Sequence, residues 1–371
     1  MDLQREFPIL QELTFLNHAG VSPLPARSAQ AMRQMISETE RFGPLYQKKD
    51  QQRLEWLRRA AAQLLACDAD EIAFVKNTTE GLSLVAEGLD WRAGDNIVTA
   101  AHEFPANIYP WRSLARRSVE LRVVAERDWR FDIEDFARAI DKRTRLLTVS
   151  AVQFSTGFRM PLENLGHLCK ERGVLFCVDA IQGLGAMPFD VKRWGIDFLS
   201  ADGHKWLLGP EGFGIFYCRH ARIEALSNCV LGWIGVENPS DYDRADQPWV
   251  SAARRFEEGS HNLVGAMGLA GSVELLLEVG LEQVEQRILA LTRRLLEGLE
   301  ARRCEIFTPR EDQCRLGIVS FRHPTESSDM LFKLLLDRKI ITAHRRGWVR
   351  VSPHFYNTEE QMDAVLDALG R

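Results

Sequence analysis

Ser200-Ala-Asp-Gly-His-Lys-Trp-Leu-Leu-Gly-Pro-Glu-Gly-Phe-Gly214 is the stretch whose reading decides the fold. Apolar runs flank its centre, Ile196-Asp-Phe-Leu199 before and Phe213-Gly-Ile-Phe-Tyr217 after, and each has the length of a short strand. His204 and Lys205 therefore fall where a strand gives way to a glycine-punctuated loop, the place where α/β proteins put their sites. A lysine held there among Trp206, Leu207 and Leu208 has its charged form disfavoured and becomes an amine able to form a Schiff base. Taken alone, Lys205 is one of many lysines, most of which are simply solvated.

Upstream, Gly173-Val-Leu-Phe-Cys-Val178 reads as a buried strand that delivers Asp179 at its carboxyl end, ahead of Ala180-Ile-Gln-Gly183. An aspartate leaving a buried strand, one βα unit before a strand-end lysine, suits a partner for a pyridinium nitrogen and a lysine that holds pyridoxal phosphate (PLP). Such a pair needs a phosphate cradle. Glu71-Ile-Ala-Phe-Val-Lys-Asn-Thr-Thr79, followed by Glu-Gly-Leu-Ser-Leu-Val-Ala86, supplies a strand, the hydroxyls of Thr78 and Thr79 and a helical apolar pattern. By itself Thr78-Thr-Glu80 is a helix cap. The runs Asn96-Ile-Val-Thr-Ala100, Leu121-Arg-Val-Val-Ala125 and Arg145-Leu-Leu-Thr-Val-Ser150 alternate with helical stretches, which predicts a mostly parallel sheet covered on both faces.

Thr-Thr-Glu, Val-Asp-Ala-x-Gln, His-Lys and a late arginine, in this order, resemble the class V aminotransferase family of PLP enzymes, which includes cysteine desulfurases and, more distantly, kynureninases. The resemblance runs from Phe15-Leu-Asn-His-Ala-Gly20 to Val349-Arg-Val-Ser-Pro-His-Phe-Tyr-Asn-Thr358. It implies an α/β chain of fold type I: an arm over residues 1–20 joining the small domain, a large PLP-binding domain over 21–255 and a smaller α+β domain over 256–371. It also implies roles for individual residues. Lys205 holds PLP and moves the substrate α-proton, Asp179 keeps the ring nitrogen protonated, and Gln182 reaches the ring's phenolic oxygen. Thr78, Thr79 and His204 hold phosphate, with Trp233 as a further contact and Ser260 reaching across from a second subunit. Phe104 stacks on the ring, with Asn107 of the same stretch as another cofactor contact. Arg350 grips the substrate α-carboxylate and His18 touches substrate. No metal is expected.

The departures matter as much. Phenylalanine at 104 replaces a histidine of the desulfurases and cannot move protons. Phe154 stands where they place a carboxylate-binding asparagine, with Gln153 as a candidate replacement, and His261 stands for a proline. Asp202 would repel a phosphate and is expected to point away or pair with a base. The interval Ile340-Ile-Thr-Ala-His-Arg-Arg-Gly-Trp-Val349 contains no cysteine, so the persulfide-forming thiolate of a cysteine desulfurase is missing. The expected activity is transamination of an α-amino acid, with C–S β-elimination or epimerisation as alternatives and a non-catalytic PLP-fold protein last.

A chain of 371 residues, 45% hydrophobic and 27% charged, is long enough for two domains. Its net charge of -5 and pI near 6.0 argue against nucleic acid as a partner. The charged start Met1-Asp-Leu-Gln-Arg-Glu-Phe7 lacks the apolar run of a signal peptide, and seven cysteines without a Cys-x-x-Cys suit a reducing compartment, so a cytoplasmic homodimer with shared sites and no membrane contact is expected. No Gly-x-Gly-x-x-Gly follows the first strand, which removes a nicotinamide enzyme from consideration.

Overall fold

The computed structural model describes residues 2–370. The chain opens with an arm carrying the two-residue strand β1 (Thr14–Phe15) and then enters a seven-stranded sheet. Its strands are β2 (Ile72–Val75), β3 (Asn96–Ala100), β4 (Glu120–Val124), β5 (Thr144–Ser150), β6 (Leu175–Asp179), β7 (Phe198–Asp202) and β8 (Gly214–Cys218), in the order β2-β8-β7-β6-β5-β3-β4. β8 alone runs opposite to the rest. This is the mostly parallel α/β sheet that the alternation of strand and helix patterns predicts.

Successive residues of the inner strands enter different cores, as a sheet buried on both faces requires, while the edge strand β4 is largely exposed. Ile72 and Phe74 join one apolar cluster while Ala73 and Val75 join the other, and Phe176 and Val178 are divided from Cys177 in the same way. Helix Thr78–Gly88 lies so close to β7 that a Cβ on Gly81 would come within 2.3 Å of Ser200 Oγ, so only glycine fits there. That closeness brings the helix start to the end of β7.

The helical pattern over 26–67 becomes two helices, Ala26–Phe42 and Gln47–Leu65. Gly43, at φ +58°, and Pro44 end the first and turn the chain. Helix Leu263–Val279 packs against both, and Ala266, Leu269, Ala270 and Val273 lie in the large-domain core. That cluster runs on past Gly280 into Leu281, Val284 and Ile288 of the next helix. Leu263–Val279 is buried over most of its length, with Glu274 and Glu278 left at the surface to pair with Arg53 and Arg27, and nothing in its own composition says which domain it serves.

Beyond Gly280, helix Leu281–Ala301 leaves at 82° to its predecessor. It covers a four-stranded antiparallel sheet of β9 (Glu305–Ile306), β10 (Val319–Arg322), β12 (Ala343–Arg345) and β13 (Trp348–Val351), ordered β12-β13-β10-β9. The short β11 (Ile340–Ile341) pairs in parallel with β1, tying the arm to this domain. Among the described residues no single helix is long and apolar enough to cross a membrane.

Candidate functional site

A cavity of ≈ 300 Å³ opens at the carboxyl ends of β6 and β7, closed by the arm on one side and the β12–β13 hairpin on the other. Lys205 lies on its floor, three residues beyond β7, and is only 8% exposed. Its backbone is held from two directions. The arm's Ser22 Oγ donates to the Lys205 carbonyl at 2.7 Å, and the small domain's His354 Nε2 lies 3.0 Å from the Trp206 carbonyl. Burial pushes the ammonium down to about 8, against the upward pull of Asp179 and with a further downward push from Arg350. Asp179, the last residue of β6, is buried, and burial raises its carboxyl to about 6 against the Ile181 N–H bond and the charge of Lys205. Gln182 closes the floor, donating to Ala19 O at 3.1 Å and accepting from Trp206 Nε1 at 2.9 Å.

At one end of the floor, helix Thr78–Gly88 begins, capped by the Asn77 side chain on the Glu80 N–H. Thr78 Oγ1 accepts from Asp202 N at 3.0 Å and keeps its own proton to donate, while Thr79 is exposed to the cavity. His204 Nδ1 sits 3.0 Å from Asp202 Oδ2, so the aspartate is turned onto a base. Free helix N–H groups, two hydroxyls and an imidazole make an anion cradle.

The opposite end is different in character. Phe104, 43% exposed, turns its face to the cavity with Lys205 Nζ 5.4 Å from the ring centre, and Phe154 meets it edge-on at 5.3 Å. Arg350 is only 2% exposed, yet it has no carboxylate partner among the described residues. Nη1 donates to Phe154 O at 2.8 Å and Nη2 to Asn17 Oδ1 at 3.3 Å, while Nε has no acceptor. Burial, with Arg345 nearby, lowers its pKa to about 9. A buried cation left unpaired is costly, and an anion arriving from solution relieves that cost.

The Aminotransferase class-V family model matches residues 14–365. The chain belongs to the class V aminotransferase family. It is 30% identical, over 99% of its own length and 96% of the relative's, to a probable cysteine desulfurase of Pyrococcus abyssi. It superposes at a TM-score of 0.89 on an apo cysteine desulfurase from Thermococcus onnurineus NA1, at 28% identity over 99% and 96% of the two chains. Two structures of C-DES match at TM-scores of 0.91 and 0.90, both at 25% identity. The first covers 99% of this chain and 98% of C-DES, and the second covers 98% of each. One is a mutant with glycine covalently linked to the PLP cofactor and the other is the cystine C–S lyase with its product, cysteine persulfide.

This class V enzyme is PLP-dependent, and the cavity fits the cofactor. A desolvated amine at Lys205, a buried carboxylate at Asp179, an aromatic face at Phe104 and a helix start at Thr78 stand around one space. Lys205, Asp179, Gln182, Thr78, Thr79, His204, Phe104 and Arg350 are all brought together there.

Five predicted residues are not. His18 is 0% exposed and lines no part of the cavity; Nδ1 donates to Ser352 O at 2.8 Å and Nε2 accepts from Tyr356 O–H at 2.6 Å, so it clamps the arm to the small domain. Asn107 is buried behind the site, where Oδ1 accepts from Trp111 Nε1 and Thr148 Oγ1. Trp233 is 50% exposed and, with Ser260, lines a separate hollow. Gln153, the suggested replacement contact, points away to Glu103.

Glu103 and Arg345 are the residues that sequence reasoning missed. Glu103 accepts from Ser150 N at 2.8 Å, from Ser150 Oγ and from Gln153 Nε2 at 3.0 Å, and burial raises its carboxyl to about 7. Ser150 is paired in register with Asp179, so a second buried carboxyl stands beside that of Asp179. The nearest sequence signal was an acidic residue three positions past a buried strand, which is also how a turn reads. Arg345 borders the outer cavity and belongs to β12.

Proposed function

We propose that this enzyme cleaves a C–S bond in a sulfur-containing amino acid by β-elimination. The observation that carries the reading is the lining of the cavity: an unpaired arginine for a carboxylate, a single amine to move protons, and no cysteine. The relatives named as cysteine desulfurases and the cystine C–S lyase favour sulfur chemistry over transamination. A persulfide-forming desulfurase needs a thiolate over the substrate, whereas an eliminating lyase does not.

Bound at Lys205, PLP would supply an electron-accepting ring for the charge that develops at the substrate Cα. Arg350 pairs with the α-carboxylate and fixes which Cα bond stands across that ring. Lys205 Nζ, a desolvated amine on the cavity floor, would take the α-proton. The electrons of the broken Cα–H bond form Cα=Cβ as the Cβ–S bond breaks, and the sulfur leaves with its electron pair, protonated by Lys205 or water. The enamine then hydrolyses to a 2-oxo acid and ammonium. Asp179 would keep the ring nitrogen protonated, and Phe104 would offer an aromatic face that cannot exchange protons.

The test is product analysis of the holoenzyme with cysteine, cystine and S-substituted cysteines. Equal amounts of 2-oxo acid, ammonium and sulfur product without an added acceptor support elimination. Turnover only when another 2-oxo acid is present, with its amination in equal amount, replaces the reading with an aminotransferase. Alanine with a protein-bound persulfide replaces it with a desulfurase.

We also infer a homodimer in which the loop over 257–262 reaches the partner's cavity. That loop is a built structure: buried Glu257 is bound by Arg58 at 2.6 Å and by His261 at 2.8 Å. Burial alone would raise the Glu257 carboxyl, but these two bases bring it to about 2. Ser260 beside it lines hollows other than the one that holds the chain's own Lys205, so on this reading its hydroxyl serves the cavity of a second copy. Mixing Lys205→Ala with Ser260→Ala protein tests this by recovery of activity in a heterodimer.

A further inference from the structure

The outer end of the cavity has more positive charge than an α-carboxylate can use. β12 and β13 form a hairpin in which Ala343 faces Arg350 and Arg345 faces Trp348. Arg345, two residues from Ala343 along its strand, is therefore the diagonal neighbour of Arg350 on the same face of the sheet, where Cβ atoms are about 7–8 Å apart. The register is firmly set. Arg346 and Gly347 form the two-residue turn with φ +53° and +79°, and Trp348 stacks on Phe307 at 3.9 Å and meets Trp129 edge-on at 5.0 Å. The two carboxylates lining the cavity, Asp179 and Asp202, are both at its inner end. Among the described residues neither Arg345 nor Arg350 has an ion-pair partner. Between the arginines and the floor stand the apolar rings of Phe104 and Phe154.

We propose that the substrate is a dianionic amino acid, whose α-carboxylate is taken by Arg350 and whose side chain ends in a second carboxylate or sulfonate-like anion taken by Arg345. The inference rests on the reading of the site as one for an α-amino acid. Ala343 opposite Arg350 carries only a methyl group, and the phenylalanine walls suit a short apolar or thioether segment between the two charges. Under the elimination reading, the sulfur substituent that leaves is the part bearing the distal anion. Arg345 is exposed at the cavity mouth, so the pair it makes is partly screened.

Inert acids separate this proposal from the reaction type. Calorimetric titration of the holoenzyme with glutarate and with butyrate should show glutarate binding about five- to twenty-fold tighter, the range between a screened and an enclosed charge pair. Arg345→Gln should bring the two acids within about twofold of each other, Arg345→Lys should retain part of the preference, and Arg350→Gln should weaken both acids. An unchanged glutarate preference in Arg345→Gln, or no preference in the wild type, overturns the proposal. Circular dichroism and cofactor content confirm that each variant is folded. Failure here leaves the bond cleaved undecided, because product analysis of the same preparations judges elimination separately.

Discussion

The inner and outer ends of the one cavity are built on different principles. Inside, Asp179 and Lys205 leave adjacent strands of a parallel sheet, and the lysine loop is fastened by Ser22 and His354. Outside, Phe104 and Phe154 stand on loops, while Arg345 and Arg350 come from a hairpin of the other domain. On the function proposed above, the inner end would fix how electrons and protons move, and the outer end would select what is allowed to react. Changes inside should therefore destroy chemistry, and changes outside should alter affinity.

The largest effect belongs to Lys205. Lys205→Ala should lower turnover by at least about 10²- to 10⁴-fold, the usual worth of a positioned acid-base group. Borohydride reduction of the wild type followed by peptide mapping should mark Lys205, and a label on another lysine would end the assignment. Asp179→Asn should keep most of the cofactor and lose roughly 10²-fold in turnover, because a neutral amide no longer favours the protonated ring nitrogen. Wild-type turnover in that variant would remove Asp179 from the mechanism.

A pH experiment sets the two ends against each other. Cofactor capture needs the neutral amine, so capture by the apoenzyme should rise through pH about 8, where Lys205 titrates, instead of near the ordinary lysine value of about 10.4. Asp179 raises the lysine pKa and Arg350 lowers it. Asp179→Asn should therefore move the capture profile to lower pH and Arg350→Gln should move it to higher pH. Shifts in the same direction would show that the two residues do not bracket the amine.

Arg350→Gln should raise KM by about 10- to 100-fold with a smaller change in kcat, as expected for a lost charge-assisted pair. An unchanged KM for every amino acid that reacts would exclude Arg350 as the carboxylate site.

The same division explains what the sequence could and could not say. Lys205, Asp179 and Thr78 were legible because each follows an apolar run short enough to be a strand, and strand ends in a parallel sheet converge. Arg345 was not, since its position depends on hairpin register, and a two-residue shift along β12 would look the same in the pattern of apolar residues. Asn107 and Glu103 sit in one short stretch with Phe104, yet only Phe104 faces the cavity; a loop has no period from which to tell inward from outward. Trp233 and Ser260 carry the right chemistry for a phosphate but not on their own chain's cavity.

His18 gives the smallest effect on catalysis and a clear test of where the outer end stops. The sequence puts it against substrate, whereas the fold buries it with His354 and Tyr356. Burial, with His354 adjacent, holds the pKa of His18 well below 6.5, and burial brings His354 to about 4. Both folded-state values are depressed, so the unfolded chain takes up protons first. Their stability contribution is whole above pH 6.5 and is lost as pH falls below it, down to about 4 for His354, at about 1.4 kcal/mol per pH unit while a histidine is neutral folded and charged unfolded. The wild-type unfolding midpoint should therefore drop steeply between pH 6.5 and 5. His18→Gln should be less stable at pH 7.5, less sensitive to acid, and within about twofold of wild-type KM, since a neutral amide can keep one of the two hydrogen bonds but does not titrate. A tenfold rise in KM with an unchanged midpoint would put His18 back in the substrate site and move the boundary of the outer end into the arm.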